Sequence, residues 1–442
     1  MDQGLELLLQ AQGSMPLPEL TARDVYVPEL PNMATAFVGM RRVGKSYLMA
    51  QEIGRLLDAG VPRTSILWLN LEDDRLGAVT TGILNDALEW LFRTGPRRYE
   101  QTAHLFLDEV QAVPEWERFV LRVINTENIR VRLTGSSAKL LSTEVATELR
   151  GRSTAVEVLP FSFREYLRHR GLEPETAVLP GAAQRSALER ALELYLVEGG
   201  FPAVQDMSGI DRRRTLQDYV DLVVYRDVAN RWGATNRVAL AWMVSHLLSN
   251  FARDFSVNRM LNDLKSQGVK VGEDTLRAYL GHLIDARLVH AVGIRRASYR
   301  ARQVNPRKIY AVDPGLAAAT AHPSAEDTGY LLENAVYLDL RRRYSRLHEE
   351  AVSYYSDSDG SADFVVDTDA SEPLIVQVCA SLSDARTRAR ELRGAEAAMR
   401  GTGAAFATVV TLTESGEYET PAGPVRVIPA WRWLLRETLD AR

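Results

Sequence analysis

A single cysteine, Cys379, stands in 442 residues. One thiol cannot close a disulfide within one chain, so a disulfide-stapled secreted scaffold is excluded and a reducing, cytoplasmic setting is expected. Long apolar runs are also missing: nothing approaches the ~20 consecutive apolar residues of a membrane span. The N-terminus, MDQGLELLLQAQGS, carries an acid at position 2 and only a short apolar run, which does not read as a secretory signal. Neither sign of charge dominates. With 53 Lys and Arg against 58 Asp and Glu, the net charge is −5, so no global field draws the chain to nucleic acid or membrane. Any such binding requires a local patch. No internal repeat and no low-complexity tract appears. At 46% hydrophobic and 25% charged residues the composition is that of a globular protein, and the length calls for two to four domains.

What the first third does have is alternation. The runs ATAFVGM, SILWLNL, HLFLDEV, IRVRLTG and TAVEVL are separated by segments with helical spacing. Continuous apolar runs suit strands buried on both faces of a parallel sheet, and alternation with helices predicts a doubly wound α/β layer ending near Leu159. From Phe161 to Phe255 the pattern is helical, as in QRSALERALELYLVEGG, which stops on Gly199-Gly200. From about Ser256 to Val312 the order is helix, turn, helix and two strand-like stretches with a basic loop between them, the order of a winged helix. PGLAAATAHPSAEDTG reads as a connection. From about Gly329 a second α/β unit follows, with strands ADFVVDT, PLIVQVCA and GAAFATVVTL.

The decisive motif is Gly39-Met40-Arg41-Arg42-Val43-Gly44-Lys45-Ser46, which fits G-x-x-x-x-G-K-[ST] between a predicted strand and a predicted helix. Its glycines let backbone N–H groups face phosphate oxygens. Lys45 reaches the β- and γ-phosphates of ATP, and Ser46 offers its hydroxyl to Mg²⁺. The loop residues Gly39, Arg41, Arg42, Val43 and Gly44, with Lys45, Ser46 and Tyr47, form the expected nucleotide-binding set. The partner motif is HLFLDEV, whose strand delivers Asp108 and Glu109 at its C-terminal tip, where open α/β sheets place ligands. Asp108 is expected to hold Mg²⁺ with Ser46, and Glu109 to activate the attacking water. A third strand, VRLTGSS, ends in Thr134, Ser136 and Ser137. Ser136 is the candidate to touch the γ-phosphate or the water, and a helix cap is the alternative role. In LRGR, Arg150 and Arg152 are candidates to enter a neighbour's site as an arginine finger, or else are solvated charges.

With these residues in view, the sequence resembles the AAA-type ATPases of bacteria and archaea that carry a C-terminal domain of unknown function. The resemblance covers nearly the whole chain. It rests on GMRRVGKS, LNLEDDRL, LFLDEVQAVPEWE, LTGSSAKLLSTEVATELRGR, LPFSFREYL, EGGFPAV, YRDVANRWG, LLENAVYLDLRRR, ADFVVD and VIPAWRWLL. It implies an additional-strand P-loop ATPase with sheet order 5-1-4-3-2, then a winged helix and a nuclease-like C-terminal fold. The expected divisions are an ATPase core over 1–170, a helical connector over 171–254, the winged helix over 255–315 and the restriction-endonuclease-like domain over 327–442.

Between Phe251 and Tyr310 twelve Lys and Arg face five acids, a local charge of +7. Five of the arginines, Arg295, Arg296, Arg300, Arg302 and Arg307, lie in the wing segment IRRASYRARQVNPRK around Tyr299. A basic hairpin beside a helix-turn-helix is the footprint of duplex DNA binding. The alternative is a protein–protein module whose arginines meet acids of the same chain. In the C-terminal unit Glu333 and Asp363 are candidate metal carboxylates, yet where an acid-x-Lys pair would stand the chain has Gln377-x-Cys379. An amide and a thiol cannot replace a hard-metal carboxylate and a cationic lysine, which argues against cleavage. Cys379 reads as a buried strand residue.

The leading expectation is an Mg²⁺-dependent ATPase acting on DNA, assembled as a ring, with a hexamer the expected number. A signalling or defence switch acting on a protein partner is the second reading, and an ATP-gated nuclease the third.

Overall fold

The computed structural model describes residues 3–12, 16–135, 149, 151–175, 180–295, 306–321, 327–345, 347–348, 350–369 and 372–435. The chain divides into two compact units, residues 1–159 and 160–442.

The first unit is built on five parallel strands, β1 (Ala34–Val38), β2 (Ile66–Asn70), β3 (Ala103–Asp108), β4 (Ile129–Thr134) and β5 (Ser153–Glu157). They lie in the order β2-β3-β4-β1-β5, the expected 5-1-4-3-2 read from the other edge. Every residue of β1 and of β3 is buried, as strands covered on both faces require. Helices α1 (Gln3–Ala11), α2 (Lys45–Asp58), α3 (Thr81–Thr94) and α4 (Trp116–Thr126) supply the layers. Helix α4 shows how the sequence dictates this: Trp116, Phe119, Val120, Val123 and Ile124 recur at three- and four-residue spacing and all are buried, while the opposite face is charged. Residues of α1, α3 and α4 share one core with β1 to β4.

The second unit begins with helices over Phe163–His169, Ala182–Glu198, Gly209–Leu222 and Arg237–Ser249. The helix at Gly209–Leu222 continues as wider π-helical turns over Val223–Ala229. Helices α5 (Val257–Ser266) and α6 (Glu273–Asp285) follow, packed beside an antiparallel sheet of β6 (Arg253–Phe255), β8 (Arg307–Ala311) and β7 (Val289–Val292), in that order. The segment expected as a connection is instead partly a helix, Pro314–Ala321. Its alanines favour helix, its proline sits at the first turn, and the Asp313 carboxylate accepts the backbone N–H of Leu316 at 2.9 Å as a cap.

The last part holds helix α7 (Thr328–Tyr344), strands β9 (Val352–Ser356), β10 (Ser361–Val366) and β11 (Leu374–Val378), helix α8 (Ala385–Thr402), and strands β12 (Ala407–Thr411), β13 (Gly416–Thr420) and β14 (Gly423–Pro429). The six strands form one mixed sheet, β13-β14-β12-β11-β10-β9. Its centre, β11 and β12, is parallel and joined through α8, and its edges are antiparallel hairpins. Among the described residues no helix is long and apolar enough to cross a membrane.

Candidate nucleotide site

Strand β1 ends at Val38, and the chain turns at once into the loop before α2. Gly39 is required sterically: a Cβ there would lie 2.2 Å from the Val158 carbonyl oxygen. Gly44, with φ 96°, holds the left-handed conformation that lets the loop enter α2. Lys45 is the first residue of that helix. It is buried, and its ammonium donates to the carbonyls of Gly39 at 3.0 Å and Met40 at 3.1 Å, folding back over the loop it follows. Arg41 and Ser46 are half-buried, Val43 is buried, and Arg42 and Tyr47 are exposed.

Strand β3 brings Asp108 to the same end of the sheet. Its carboxylate is buried and is hydrogen-bonded by the hydroxyls of Thr134 and Ser46. Burial pushes its pKa above the ordinary carboxylate range, while those two hydroxyls pull it back. The Ser46–Asp108 contact is the point where the two sequence motifs meet. Glu109 follows with φ 54°, a left-handed conformation that a non-glycine residue adopts at a cost. This sharp turn separates the two carboxylates. Glu109 accepts the side-chain amide of Gln111, and its backbone N–H donates to the Thr134 hydroxyl at 3.0 Å.

Thr134 therefore ties the tip of β4 to both carboxylate-bearing residues. The sequence pattern placed it beside Ser136 and Ser137 and favoured Ser136, which lies outside the described residues, as does Arg150. The strand tip itself was the usable signal for Thr134: its position at the last residue of β4 aligns it with Asp108 at the last residue of β3. Arg152 is exposed and precedes β5 at the end of the sheet opposite Gly39, since its carbonyl accepts the N–H of Ala34, the first residue of β1. It cannot reach the loop of its own unit.

Arg23 was missed. It is buried, and its guanidinium donates to the Val43 carbonyl at 3.0 Å and the Leu159 carbonyl at 2.5 Å, bracing the loop from behind. The Gln51 side chain clips the Arg23 backbone at 2.6 and 3.0 Å. An isolated arginine in an extended segment gives no sequence signal of this role.

The residues fit a triphosphate and a hard divalent cation. A lysine that donates to two carbonyls can exchange them for phosphate oxygens, and a hydroxyl and a carboxylate already face each other.

In the second unit the described start of the expected basic segment is engaged within the chain. Arg295 pairs with Asp367 at 2.7 Å, and Ile294 forms a lone parallel bridge with Tyr354 of β9. Arg307 opens β8 and is half-buried. Arg296, Arg300 and Arg302 lie outside the described residues. Cys379 is buried, and that burial pushes its thiol up to about 12, which leaves it inert.

Residues 31–167 match the family model described as an AAA domain. This part of the chain has the fold of an AAA-type P-loop domain. Residues 189–327 match a second model, described as a domain of unknown function (DUF8612). An uncharacterized protein of Methanocaldococcus jannaschii is 28% identical over 421 residues, covering 93% of this chain and 90% of its own. An uncharacterized protein of Haemophilus influenzae is 28% identical over 338 residues, covering 73% of this chain and 79% of its own. Among solved structures, the Walker-type ATPase of Pyrococcus abyssi is similar at a TM-score of 0.39 and 16% identity, over 65% of this chain and 90% of that one.

Proposed function

We propose that the protein hydrolyses ATP at the Lys45–Asp108 site and couples that hydrolysis to DNA. The observation that carries the catalytic half is the Ser46–Asp108 contact, which joins the phosphate loop to the acidic strand tip. Ser46 and Asp108 would hold Mg²⁺, which supplies positive charge against the phosphate oxygens. Lys45 leaves the carbonyls of Gly39 and Met40 for the β- and γ-phosphates. Glu109 takes the proton of the attacking water, and its turn at positive φ sets its carboxylate apart from that of Asp108. Thr134 fixes Asp108 through its hydroxyl proton and Glu109 through the main chain. The developing transition-state charge calls for a cation besides Lys45, and Arg150 or Arg152 of a neighbouring copy supplies it in a ring. Mixing an Arg152→Ala protomer with a Lys45→Ala protomer restores part of the activity if Arg152 is that residue, and the same cross tests Arg150.

The DNA half rests on the local charge of +7 over Phe251–Tyr310 and on the helix–turn–helix–hairpin order. The test is the ATP hydrolysis rate with and without single-stranded, duplex and branched DNA. A rate indifferent to all three, with no binding at low salt, removes DNA from the proposal. A specific observation favours a second reading, a switch acting on a protein partner: Arg295 is already neutralised by Asp367 of its own unit. Replacing Arg295, Arg296, Arg300 and Arg302 together by alanine separates the two. If these side chains meet phosphates, the log–log salt dependence of binding flattens by about 0.9 for each phosphate left without its arginine.

A further inference from the structure

The second unit contains a buried charge cluster that the nucleotide site does not use. Lys308, the second residue of β8, places its ammonium 2.7 Å from Asp363 Oδ1 on β10 and 3.0 Å from Glu333 Oε1 on α7. All three are largely withdrawn from solvent. Glu333 Oε1 also accepts the Tyr310 hydroxyl at 2.7 Å. Asp363 Oδ2 accepts the Val378 N–H at 3.0 Å, and the Asp363 N–H donates to Gln377 Oε1 at 3.0 Å. Gln377 in turn donates to Glu391 on α8. Burial alone would pull the Lys308 ammonium down, but Asp363 and Glu333 outweigh it and hold the pKa above its usual value.

The arrangement has the donor chemistry of a hard-cation site. Two carboxylates from different elements converge on one point, with a phenol oxygen beside them. Magnesium-type sites use one or two carboxylates and fill the remaining positions with water. Among the described residues no group of three or more His, Cys, Asp and Glu side chains gathers for a metal, and Glu333 and Asp363 make a two-carboxylate seat. A cation is already in that seat, and it is covalently part of the chain. The lysine that the sequence lacks just after β11, where Cys379 stands, is supplied by β8 instead. The same strand is gripped by Asn334, whose amide exchanges two hydrogen bonds with the backbone of Ala311 at 2.8 and 3.1 Å.

We propose that Lys308 is a resident cation that fills a latent divalent-metal seat between Glu333 and Asp363, and that this ion pair latches the β7–β8 hairpin to the C-terminal sheet. The inference is independent of the ATPase reading. While Lys308 is in place its ammonium repels a second cation, and the carboxylates are unavailable for metal chemistry. Removing the ammonium leaves two facing buried carboxylates that recover their balance by capturing a divalent ion.

The test is Mn²⁺ binding to the full nucleotide-free chain by electron paramagnetic resonance, in an Asp108→Asn background that silences the first unit. With Lys308 present, no Mn²⁺ binds in a manner sensitive to Glu333 or Asp363. Lys308→Met gains one Mn²⁺ per chain, at least tenfold tighter than the parent. Adding Glu333→Gln and Asp363→Asn abolishes the gain, and Lys308→Arg never acquires it. A folded Lys308→Met chain that binds no more Mn²⁺ than its parent overturns the proposal, as does a parent whose Mn²⁺ binding depends on Glu333 and Asp363. If Lys308→Met is unfolded without metal, refolding by millimolar Mn²⁺ supports the seat and failure to refold refutes it. The latch has its own readout in the triple variant, which has no unpaired charge. Amide hydrogen exchange over Val289–Val292 quickens at least tenfold there, and unchanged exchange overturns the latch.

Discussion

Two lysines divide this molecule. Lys45 in the first unit donates to the carbonyls of Gly39 and Met40, whereas Lys308 in the second donates to the carboxylates of Asp363 and Glu333. Carbonyls are neutral acceptors, and phosphate oxygens outcompete them for an ammonium. Carboxylates already satisfy the charge. The Lys45 ammonium can thus exchange its carbonyls for a ligand's oxygens beside Asp108, whereas that of Lys308 is already ion-paired. A basic side chain among polar partners is not by itself a site: the acceptors its ammonium bonds decide whether a ligand can displace them.

The largest expected effect tests the Lys45 side. Glu109→Gln keeps the shape and the Gln111 contact but removes the base, so ATP turnover falls by ~10²–10⁴ with nucleotide binding retained, read by phosphate release beside equilibrium binding. Next comes the Lys308 side. Lys308→Ala strands two buried carboxylates without their cation, and the second unit loses about 3–5 kcal/mol in urea unfolding. Lys308→Arg, which keeps the charge, loses clearly less.

A smaller effect lies at Thr134. Thr134→Val keeps the volume but removes the hydroxyl shared by Asp108 and the Glu109 N–H, costing about 1–3 kcal/mol and lowering turnover roughly tenfold. If turnover is unchanged while stability falls, Thr134 positions nothing in the reaction.

The smallest concerns pH. Burial, then the neighbouring Arg132, holds His104 down at about 4 against an ordinary value of 6.5. A depressed pKa means that the folded unit excludes a proton which the unfolded chain binds below 6.5. The contribution is fully present above pH 6.5 and is lost as pH falls toward 4, with a slope of at most about 1.4 kcal/mol per unit. His104→Phe removes that slope. A wild-type stability that is flat across the window contradicts the assignment.

The first unit was legible because its signals are local. The run ATAFV, the loop from Gly39 to Ser46 and the pair Asp108-Glu109 each state their geometry within ten residues, and the strand order follows the resemblance they carry. Long-range partners were not legible. Arg23 reaches Leu159 across 136 residues, and Lys308 reaches Asp363 across 55. An acid-x-Lys pattern would place the lysine of Asp363 two residues beyond Gln377, where Cys379 stands; the fold brings the lysine from a strand preceding Glu333. The hairpin of β13 and β14 was also missed, because GEYET alternates exposed polar residues at a sheet edge and carries no apolar run. Helix Pro314–Ala321 was read as a connection because its small residues mimic a loop in composition, although Ala is the best helix former.

The central claim is that the first unit hydrolyses ATP with Glu109 as the base while the second unit's charge cluster takes no part. The most direct test is a single-turnover ATP hydrolysis time course for the wild type, Glu109→Gln and Lys308→Arg, with nucleotide affinity measured on the same samples. The account predicts equal affinity in all three, near-zero hydrolysis in Glu109→Gln, and a wild-type rate in Lys308→Arg. Hydrolysis by Glu109→Gln at the wild-type rate would contradict it.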